Sequence, residues 1–467
     1  MSESNGVIRV GSRKSELALI QTNHVIKLLQ NIHPEKKFEI ITMNTMGDKV
    51  LDIALPKIGE KSLFTKELEA ALATGGVDFV VHSLKDLPTC LPENMAIGVV
   101  LEREDPRDAL VLHEKYKTYS LESLPKNSTI GTSSLRRAAQ LHRYYPHLHV
   151  DNIRGNLNTR LKKLDELNKY QAIVLATAGL QRMGWTRSYR KIIDEEELLS
   201  IYAVGQGAIA VECREKDEKI IDILKPLYDI QTAIQIVAER TFLKTLGGGC
   251  SAPVAVKTNL LNVKGVKHKL KMTGAVWSLD GKDELKEMNE CELEIVMNKC
   301  SVCPYKNCSS NGKDNDIECL QTCSKQNNKI IIENEAEESG NHSSQPPNKK
   351  IKLDDETCPI NLPIGADFMG KCPYLESKDV DGAAVIDVNI NEANKCPFRQ
   401  HGSIIFEAEV KCDKNSKDLF CGLVPHPDVS LDVFVEAEKL GRDLANRLIE
   451  NGAKDIMTKA QNIIKNC

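Results

Sequence analysis

Long apolar runs are missing from this sequence: no stretch approaches the roughly 18–20 consecutive apolar residues that a membrane-spanning helix needs. A dominant charge is missing too, because 62 Lys and Arg stand against 66 Asp and Glu, for a net charge of −4. The beginning, MSESNGVIRV, has neither the apolar core nor the basic flank of a secretory signal. We therefore expect a cytoplasmic protein that binds neither nucleic acid nor a membrane through a basic field.

The length and the cysteines limit the architecture. The chain has 467 residues, of which 41% are apolar, enough for several cores and roughly 2–4 domains. Its 15 cysteines are unevenly placed, and eight of them lie between Lys299 and Gly402. In an intracellular protein such cysteines are expected to be thiols, metal ligands or redox groups rather than disulfides.

Short apolar segments alternate with helical patterns in the first part of the chain. We predict strands at Val7–Val10, Phe38–Met43 and Val77–His82, and helices at Ser15–Leu29 and Leu63–Leu72. This alternation predicts a mostly parallel sheet with helices on both faces.

The same pattern then restarts. We predict strands at Ser128–Gly131, His149–Ile153 and Ala172–Ala176, with helices in LRRAAQLHRYY and LNTRLKKLDEL. The junctions GSRKSELALIQ and GTSSLRRAAQ look like counterparts. We therefore predict two similar α/β lobes around a cleft, with ligands outside the carboxyl ends of the strands.

A third unit begins near Ile230. The helix TAIQIVAERTFLKTL leads into GGGCSAPVAV, a strand is predicted at Leu270–Leu279, and the chain ends in two helices. Between them lies a polar insertion, about 299–402, which includes Lys325–Lys350. That stretch has too few apolar residues to bury, so disorder is expected.

Arginines and hydroxyl residues gather at the predicted strand-to-helix junctions. Helix N-termini offer free N–H groups and a positive dipole end, and arginine binds carboxylates with a planar fork. Any single Ser or Thr at such a place is more often only a helix cap. Together the set predicts a site for a ligand with several carboxylates or phosphates, and its members are Ser12, Arg13, Thr132, Ser133, Ser134, Arg136, Arg137, Arg154 and Arg160.

Two motifs carry groups that could react. HSLKDLPT follows a buried strand and places Ser83, Lys85 and Asp86 at its end, where a carboxylate can transfer a proton or stabilise a cation. The alternative for Lys85 and Asp86 is an ordinary surface pair. GGGCS places the Cys250 thiol on a flexible turn, suited to covalent attachment, although a lone cysteine is more often structural.

Eight motifs in order resemble the porphobilinogen deaminase (hydroxymethylbilane synthase) family. The resemblance covers about 6–295 and resumes near Leu419. The motifs are IRVGSRKSELALIQ, LFTKELEAAL, VHSLKDLPT, IGTSSLRRAAQL, IRGNLNTRL, ATAGLQRMG, AVGQGAIAVE and GGGCSAPVAV.

The resemblance implies a fold and an activity. It implies an α/β protein with two periplasmic-binding-protein-like lobes, spanning 1–103 with 203–227 and 104–202, and a third α+β domain, 228–467, that carries the insertion. Such enzymes condense four porphobilinogen molecules into linear hydroxymethylbilane and release ammonia. The chain grows on a dipyrromethane cofactor, whose thioether would form at Cys250, and Asp86 matches the catalytic acid/base.

The resemblance also implies the binding residues of the cleft. The residues that match cofactor-binding positions are Ser83, Lys85, Thr132, Ser133, Ser134, Arg136, Arg137, Arg154 and Gly155. Those that match substrate-binding positions are Arg13, Gln21, Phe64, Arg160 and Arg182. The loop after Met46 resembles a mobile cover, with Lys57 and Lys61 as contacts, and the implied enzyme is a monomer whose substrate is porphobilinogen.

The insertion departs from the family pattern. It holds four Cys-Pro pairs, at Cys303, Cys358, Cys372 and Cys396, whereas 15 Cys and 18 Pro in 467 residues would give fewer than one by chance. Cys-Pro resembles the haem regulatory motif, which suggests haem binding. Zinc binding by the cysteines from Cys300 to Cys323 and an insert with spare thiols are the alternatives. PPNKKIKL is compatible with a nuclear signal, although a solvated charge run is commoner.

Two alternative hypotheses about function stay open when only the residues are considered. Two lobes around an anion cleft also describe solute-binding proteins, and an inactive haem-sensing scaffold is the other reading. A solute binder has no use for Cys250 on a glycine loop, and the presence of Lys85, Asp86 and Cys250 argues against a scaffold.

Overall fold

A computed structural model describes most of the chain outside the insertion. The described residues are 6–49, 63–185, 190–192, 201–247, 252–296 and 419–466. Three sequence predictions therefore concern residues outside this description: the Cys250 loop, the cover with Lys57 and Lys61, and the insertion at about 299–402. All described residues belong to a single compact unit.

Strands and helices of these residues form three sheets with helices packed on them. The strands are β1 (Ile8–Arg13), β2 (Phe38–Met43), β3 (Phe79–Ser83), β4 (Met95–Val100), β5 (Asp108–Leu112), β6 (Thr129–Gly131), β7 (His149–Asp151), β8 (Ala172–Ala176), β9 (Arg190–Ile192), β10 (Ile209–Arg214), β11 (Val254–Lys264), β12 (Lys267–Trp277) and β13 (Glu284–Glu294). The helices are α1 (Glu16–Ile32), α2 (Met46–Lys49), α3 (Lys66–Ala73), α4 (Leu135–Tyr144), α5 (Leu157–Glu166), α6 (Thr177–Arg182), α7 (Glu218–Leu224), α8 (Ile230–Thr245), α9 (Leu431–Glu450) and α10 (Ala453–Asn466).

The first sheet forms the core of one lobe and has the order β2-β1-β3-β10-β4. Strand β1 is parallel to β2 and β3, whereas β10 is antiparallel to β3 and β4. In the central strand β3 the first four residues are buried, and the last residue, Ser83, is half-buried. Because both faces of this strand are covered, its residues need not alternate between apolar and polar. This explains why β3 begins with three apolar residues, Phe79–Val81.

The second sheet repeats this arrangement in the order β7-β6-β8-β5-β9. Strand β6 is parallel to β7 and β8, and β5 is antiparallel to β8 and β9. Strands β1 and β6 are therefore equivalent, and each is followed by a helix, α1 or α4. This confirms that GSRKSELALIQ and GTSSLRRAAQ are counterparts and that the fold has two lobes of the periplasmic-binding-protein type.

The prediction of mostly parallel sheets is confirmed, because four of the five described strands in each sheet run in one direction and a single strand, β10 or β5, runs against its two neighbours. Both strands belong to the connections between the lobes. Strand β10 begins beside the last residue of β3, where Ile209 pairs with Ser83, and β5 begins beside the end of β8. Each connecting strand enters its sheet beside the carboxyl end of a parallel strand, so it runs in the opposite direction.

The third domain is α+β, with an antiparallel sheet in the order β11-β12-β13 and the helices α8, α9 and α10 packed on it. Helices α8 and α9 approach closely at Gly441, where a Cβ atom would lie 2.1 Å from the carbonyl oxygen of Ala238. Phe242 and Phe434 fill the core between the helices and the sheet. Within the described residues, no helix has both the length and the apolarity needed to cross a membrane.

Candidate active site

A short turn after β3 carries the predicted acid and its cationic neighbour. Residues Leu84–Asp86 form one 3₁₀ turn, closed by the hydrogen bond from Leu87 N–H to the Leu84 carbonyl at 3.1 Å. The Leu84 N–H also donates to Ala208 O at 3.0 Å. Leu84 and Leu87 are buried, whereas Lys85 and Asp86 are half-buried. The apolar residues thus anchor the turn, and the charged ones face the edge where the parallel strands end.

The end of β1, helix α1 and the segment before α3 contribute the next predicted residues, which are Arg13, Gln21 and Phe64. Gln21 is buried and exchanges hydrogen bonds with Ser83: its Nε2 donates at 3.0 Å, and Ser83 Oγ donates to its Oε1 at 3.3 Å. The Arg13 guanidinium lies 4.4 Å from the centre of the Phe64 ring, a cation–π contact. Two pairs of predicted site residues from separate segments are therefore in contact, Gln21 with Ser83 and Arg13 with Phe64.

The hydroxyl residues of the second lobe lie at the start of α4. Ser134 caps the helix by accepting from Arg137 N–H at 3.4 Å, and Thr132 Oγ1 accepts from Ser134 N–H at 3.2 Å. Ser133 Oγ donates to the carbonyl of Ile153, which follows β7. These hydroxyls all have protein partners, so capping is present, and ligand binding by them stays a prediction.

Arg136 and Arg137 converge on Asp108, the first residue of β5. Asp108 accepts from Arg136 Nη2 at 3.0 Å and from Arg137 Nη2 at 2.7 Å. Burial raises the pKa of Asp108, but the two guanidinium groups outweigh it and hold that pKa well below its usual range. Gln206, in the other connection between the lobes, donates to Asp108 Oδ1 at 2.8 Å. The predicted ligand arginines thus also join the two crossovers.

Positive charge is concentrated at this edge. Burial lowers the pKa of Lys85 to about 8, with Asp86 opposing the change and Arg137 adding to it. Burial likewise lowers the pKa of Arg160 to about 10, helped by Arg137 and Arg154 and opposed by Asp86. Asp86 and these four cations are therefore close enough to affect one another, although the two lobes contribute them from distant parts of the sequence.

The loop after β7 depends on a glycine. Gly155 has φ +115°, and a Cβ atom there would lie 2.6 Å from Cγ2 of Thr159. Its carbonyl accepts from Arg160 Nε at 2.8 Å, and the Arg154 carbonyl accepts from Lys163 at 3.0 Å. Only a residue without a side chain allows the loop to fold back onto α5 in this way.

Arg182 lies at the lobe connection. Its Nε is 2.9 Å from Glu104 Oε2, and its Nη2 donates to the Gly207 carbonyl at 2.8 Å. Because these partners come from both crossovers, the contacts stabilise the connection between the lobes. Substrate binding by Arg182 stays a prediction.

Sequence reasoning missed a set of buried residues that support the site. They are Arg103, Asp108, Gln206, Glu239 and Arg240. Two of the stretches that contain them, AVGQGAIAVE and TAIQIVAERTFLKTL, were recognised, but no side chain in them was assigned a role. A charged residue inside an otherwise apolar helix, as in VAERTF, is the signal that could have found Glu239 and Arg240.

Family models match most of the described chain. Residues 8–222 match "Porphobilinogen deaminase, dipyromethane cofactor binding domain", and residues 233–304 match "Porphobilinogen deaminase, C-terminal domain". Among solved structures, a sulfate-bound mutant of the OxyR2 regulatory domain from Vibrio vulnificus is 12% identical and covers 49% of this chain and 99% of its own, with a TM-score of 0.30. A score this low supports no argument about function.

Curated relatives are much closer in sequence. The porphobilinogen deaminase of Synechococcus elongatus is 51% identical over 280 residues, which are 60% of this chain and 85% of the relative. That of a Nostoc species is 49% identical over 287 residues, 62% of this chain and 86% of the relative. The chain therefore belongs to the porphobilinogen deaminase family, the hydroxymethylbilane synthases, which are transferases that build the linear tetrapyrrole of porphyrin and haem synthesis by polymerising porphobilinogen with a dipyrromethane cofactor.

Proposed function

We propose that Asp86 is the acid/base of this polymerisation and that Lys85 is its cationic partner. The observation that carries the proposal is the charge around the β3 turn, where Lys85, Arg137 and Arg160 all act on one another or on Asp86. A carboxylate among cations that hold a polyanionic substrate is placed to interact with the substrate's one cationic centre.

The chemistry follows from the substrate. The Asp86 carboxylate hydrogen-bonds the ammonium group of porphobilinogen, and its charge stabilises the methylene-pyrrole cation left when the carbon–nitrogen bond breaks and ammonia departs. Once the new carbon–carbon bond has formed, the same carboxylate accepts the proton displaced from the pyrrole α-carbon. The residue acts twice without changing position.

The lining residues fit a carboxylate-rich cofactor. When bound, dipyrromethane supplies the free pyrrole position on which the chain grows. Burial and mutual repulsion lower the pKa values of Lys85 and Arg160, so a bound polyanion would relieve an existing cost. We assign its covalent attachment to Cys250. We assign its carboxylates to Ser83, Lys85, Thr132, Ser133, Ser134, Arg136, Arg137, Arg154 and Gly155, and the binding of incoming substrate to Arg13, Gln21, Phe64, Arg160 and Arg182.

Intact mass spectrometry tests the attachment at Cys250. Purified protein is expected to exceed its sequence mass by two pyrrole units, and Cys250→Ser is expected to lose that excess. Cys213→Ser, which removes a buried thiol of the first lobe, is the matched control and should keep it. An adduct that survives Cys250→Ser would move the attachment elsewhere.

The variant Asp86→Asn tests the acid/base assignment. It preserves shape and removes the charge, so the cofactor should still be loaded and porphobilinogen should still bind. Turnover should fall by about two orders of magnitude or more, the usual worth of a positioned acid/base. Near-normal porphobilinogen consumption would remove Asp86 from this role.

The domain limits and the setting of the protein are also proposals. The first sheet draws its strands from 8–100 and 209–214, the second from 108–192, and the third begins at Val254. These sets support the division into 1–103 with 203–227, 104–202 and 228–467. We further propose a cytoplasmic monomer, which gel filtration with light scattering would test; a dimer mass would contradict it.

Haem binding by the insertion is a second proposal, favoured by its four Cys-Pro pairs. A thiolate from such a pair would ligate haem iron, and the end product of the pathway would then regulate its own synthesis. Haemin titration of the full chain should give a thiolate-type Soret band that disappears when the four cysteines become serine. If the variant gives the same spectrum as wild type, the haem proposal is wrong. If wild type retains zinc and the variant does not, the metal alternative is favoured.

A further inference from the structure

A buried arginine links the third domain to the catalytic turn. Arg240 lies in α8 and is 1% exposed. Its Nη2 donates to the Pro88 carbonyl at 2.7 Å, and its Nη1 donates to the Leu87 carbonyl at 3.3 Å. Its Nε donates to the Cys421 carbonyl at 3.1 Å. One planar guanidinium therefore fixes two successive carbonyl groups of the first lobe against the third domain.

Those two carbonyls belong to the residues that directly follow Asp86. The Leu87 N–H closes the turn on Leu84, and the Leu87 carbonyl is held by Arg240. Because consecutive peptide planes share a Cα atom, fixing both carbonyls restricts the backbone on the carboxyl side of Asp86. The direction of the Asp86 side chain depends on that backbone.

The preceding residue of α8 supports the other side of the turn. Glu239 Oε2 accepts from Gly205 N–H at 2.9 Å. Gly205 has φ +72° and packs so closely that a Cβ atom there would lie 3.0 Å from Leu84 Cγ and 3.3 Å from the Lys85 nitrogen. Two adjacent helical residues, both buried, thus support the turn from two directions.

We propose that Arg240 is a positioning residue that holds the Asp86 carboxylate in its reactive orientation by fixing the Leu87 and Pro88 carbonyls to α8. The proposal rests on the acid/base role proposed for Asp86. Helix α8 ends at Thr245, shortly before the glycine loop of Cys250 in the sequence. The same helix that leads to the attachment loop therefore also sets the acid/base.

The first test is Arg240→Lys, which keeps the charge but cannot hold both carbonyls with a fork. Cofactor mass and the KM for porphobilinogen should stay within about twofold of wild type. The kcat should fall about 10- to 100-fold, because misplacement of a catalytic group by about 1 Å has an effect of that size. An unchanged kcat would overturn the proposal.

Arg214→Lys is the matched control. Arg214 also donates to two carbonyls of the first lobe, those of Leu72 at 3.1 Å and Val77 at 2.9 Å, but it lies at the opposite edge of the sheet. Both variants should lower the thermal midpoint, whereas only Arg240→Lys should lower kcat. Equal losses of kcat would mean that Arg240 is merely structural.

A double-mutant cycle separates failure of this inference from failure of the Asp86 assignment. If Arg240 acts through Asp86, then Arg240→Lys should have little further effect on single-turnover rates in the Asp86→Asn background. Full additivity would overturn the inference and leave the Asp86 role intact. Normal turnover by Asp86→Asn alone would instead remove the proposed function.

A milder variant covers the case in which Arg240→Lys does not fold. Pro88→Gly keeps the carbonyl that Arg240 binds but frees the backbone beside it. It should lower kcat several-fold while the cofactor mass and KM are retained. Wild-type kcat in this variant would count against positioning of the turn.

Discussion

The sharpest quantitative prediction concerns Glu69, which lies in α3, a helix that packs against strand β3. Glu69 is 7% exposed. The neighbouring Glu212, on β10, is fully buried, and its Oε2 forms a hydrogen bond with His82 Nε2 at 3.0 Å. Burial, and then the charge of Glu212, raise the pKa of Glu69 to about 7. Thr65 and His82 oppose this shift, and Glu67 adds to it. One of two neighbouring buried carboxyl groups therefore holds its proton almost to neutrality.

The sign and size of the effect on stability follow from linkage. A folded-state pKa above the unfolded value of 4.5 gives stability that is present in full below pH 4.5 and is lost as the pH rises through about 7. A shift of this size corresponds to about 3 kcal/mol, most of it falling between pH 5 and pH 8. The variant Glu69→Gln lacks the titration. Its free energy of unfolding relative to wild type should therefore rise by about 2–3 kcal/mol from pH 5 to pH 8.

Urea unfolding of wild type and Glu69→Gln at pH 5, 6, 7 and 8 would measure this difference directly. Glu166→Gln, which removes an exposed carboxylate of α5, controls for the loss of one negative charge. If the two curves of free energy against pH stay parallel for Glu69→Gln and wild type, then Glu69 does not carry the proton, and the reasoning about this buried pair is refuted.

Three further predictions follow from the site and its supports. Because the pKa of Lys85 lies near 8, kcat/KM should fall above that pH, by at most about tenfold per pH unit. The variant Lys85→Arg should abolish this fall, and a pH–rate profile of the variant with the same alkaline fall as wild type would contradict the prediction. Asp108→Asn should lower the free energy of unfolding by about 3–5 kcal/mol in urea melts, because it leaves two buried guanidinium groups without their carboxylate; a loss below about 1 kcal/mol would contradict it. Gly441→Ala should lower the thermal midpoint, because its methyl group would meet the Ala238 carbonyl. The loss should exceed that of Gly179→Ala, whose methyl group would lie 3.3 Å from the Leu157 side chain, and equal midpoints of the two variants would contradict the prediction.

The sequence predicted the local elements well where the pattern was strong. Strands Phe38–Met43 and Ala172–Ala176 have the predicted limits, and α1 begins at its cap Ser15 as expected. Strands β4, β5 and β10 were not predicted, and their short apolar runs carry no signal of direction. Antiparallel insertion of β5 and β10 follows from the path of the chain between the lobes, which a local pattern does not contain.

The sequence by itself determined the family, the two-lobe organisation and the motifs in which Asp86 and its neighbours lie, because these depend on residue order. Only the tertiary structure placed Arg137 and Arg160 beside Lys85 and Asp86, since the pKa of a buried group depends on charges that are close in space and distant in sequence. The same holds for Arg240. Its role depends on hydrogen bonds to the Leu87 and Pro88 carbonyls across a domain boundary, and backbone carbonyls are present at every residue. No pattern of side chains marks which of them an arginine will bind.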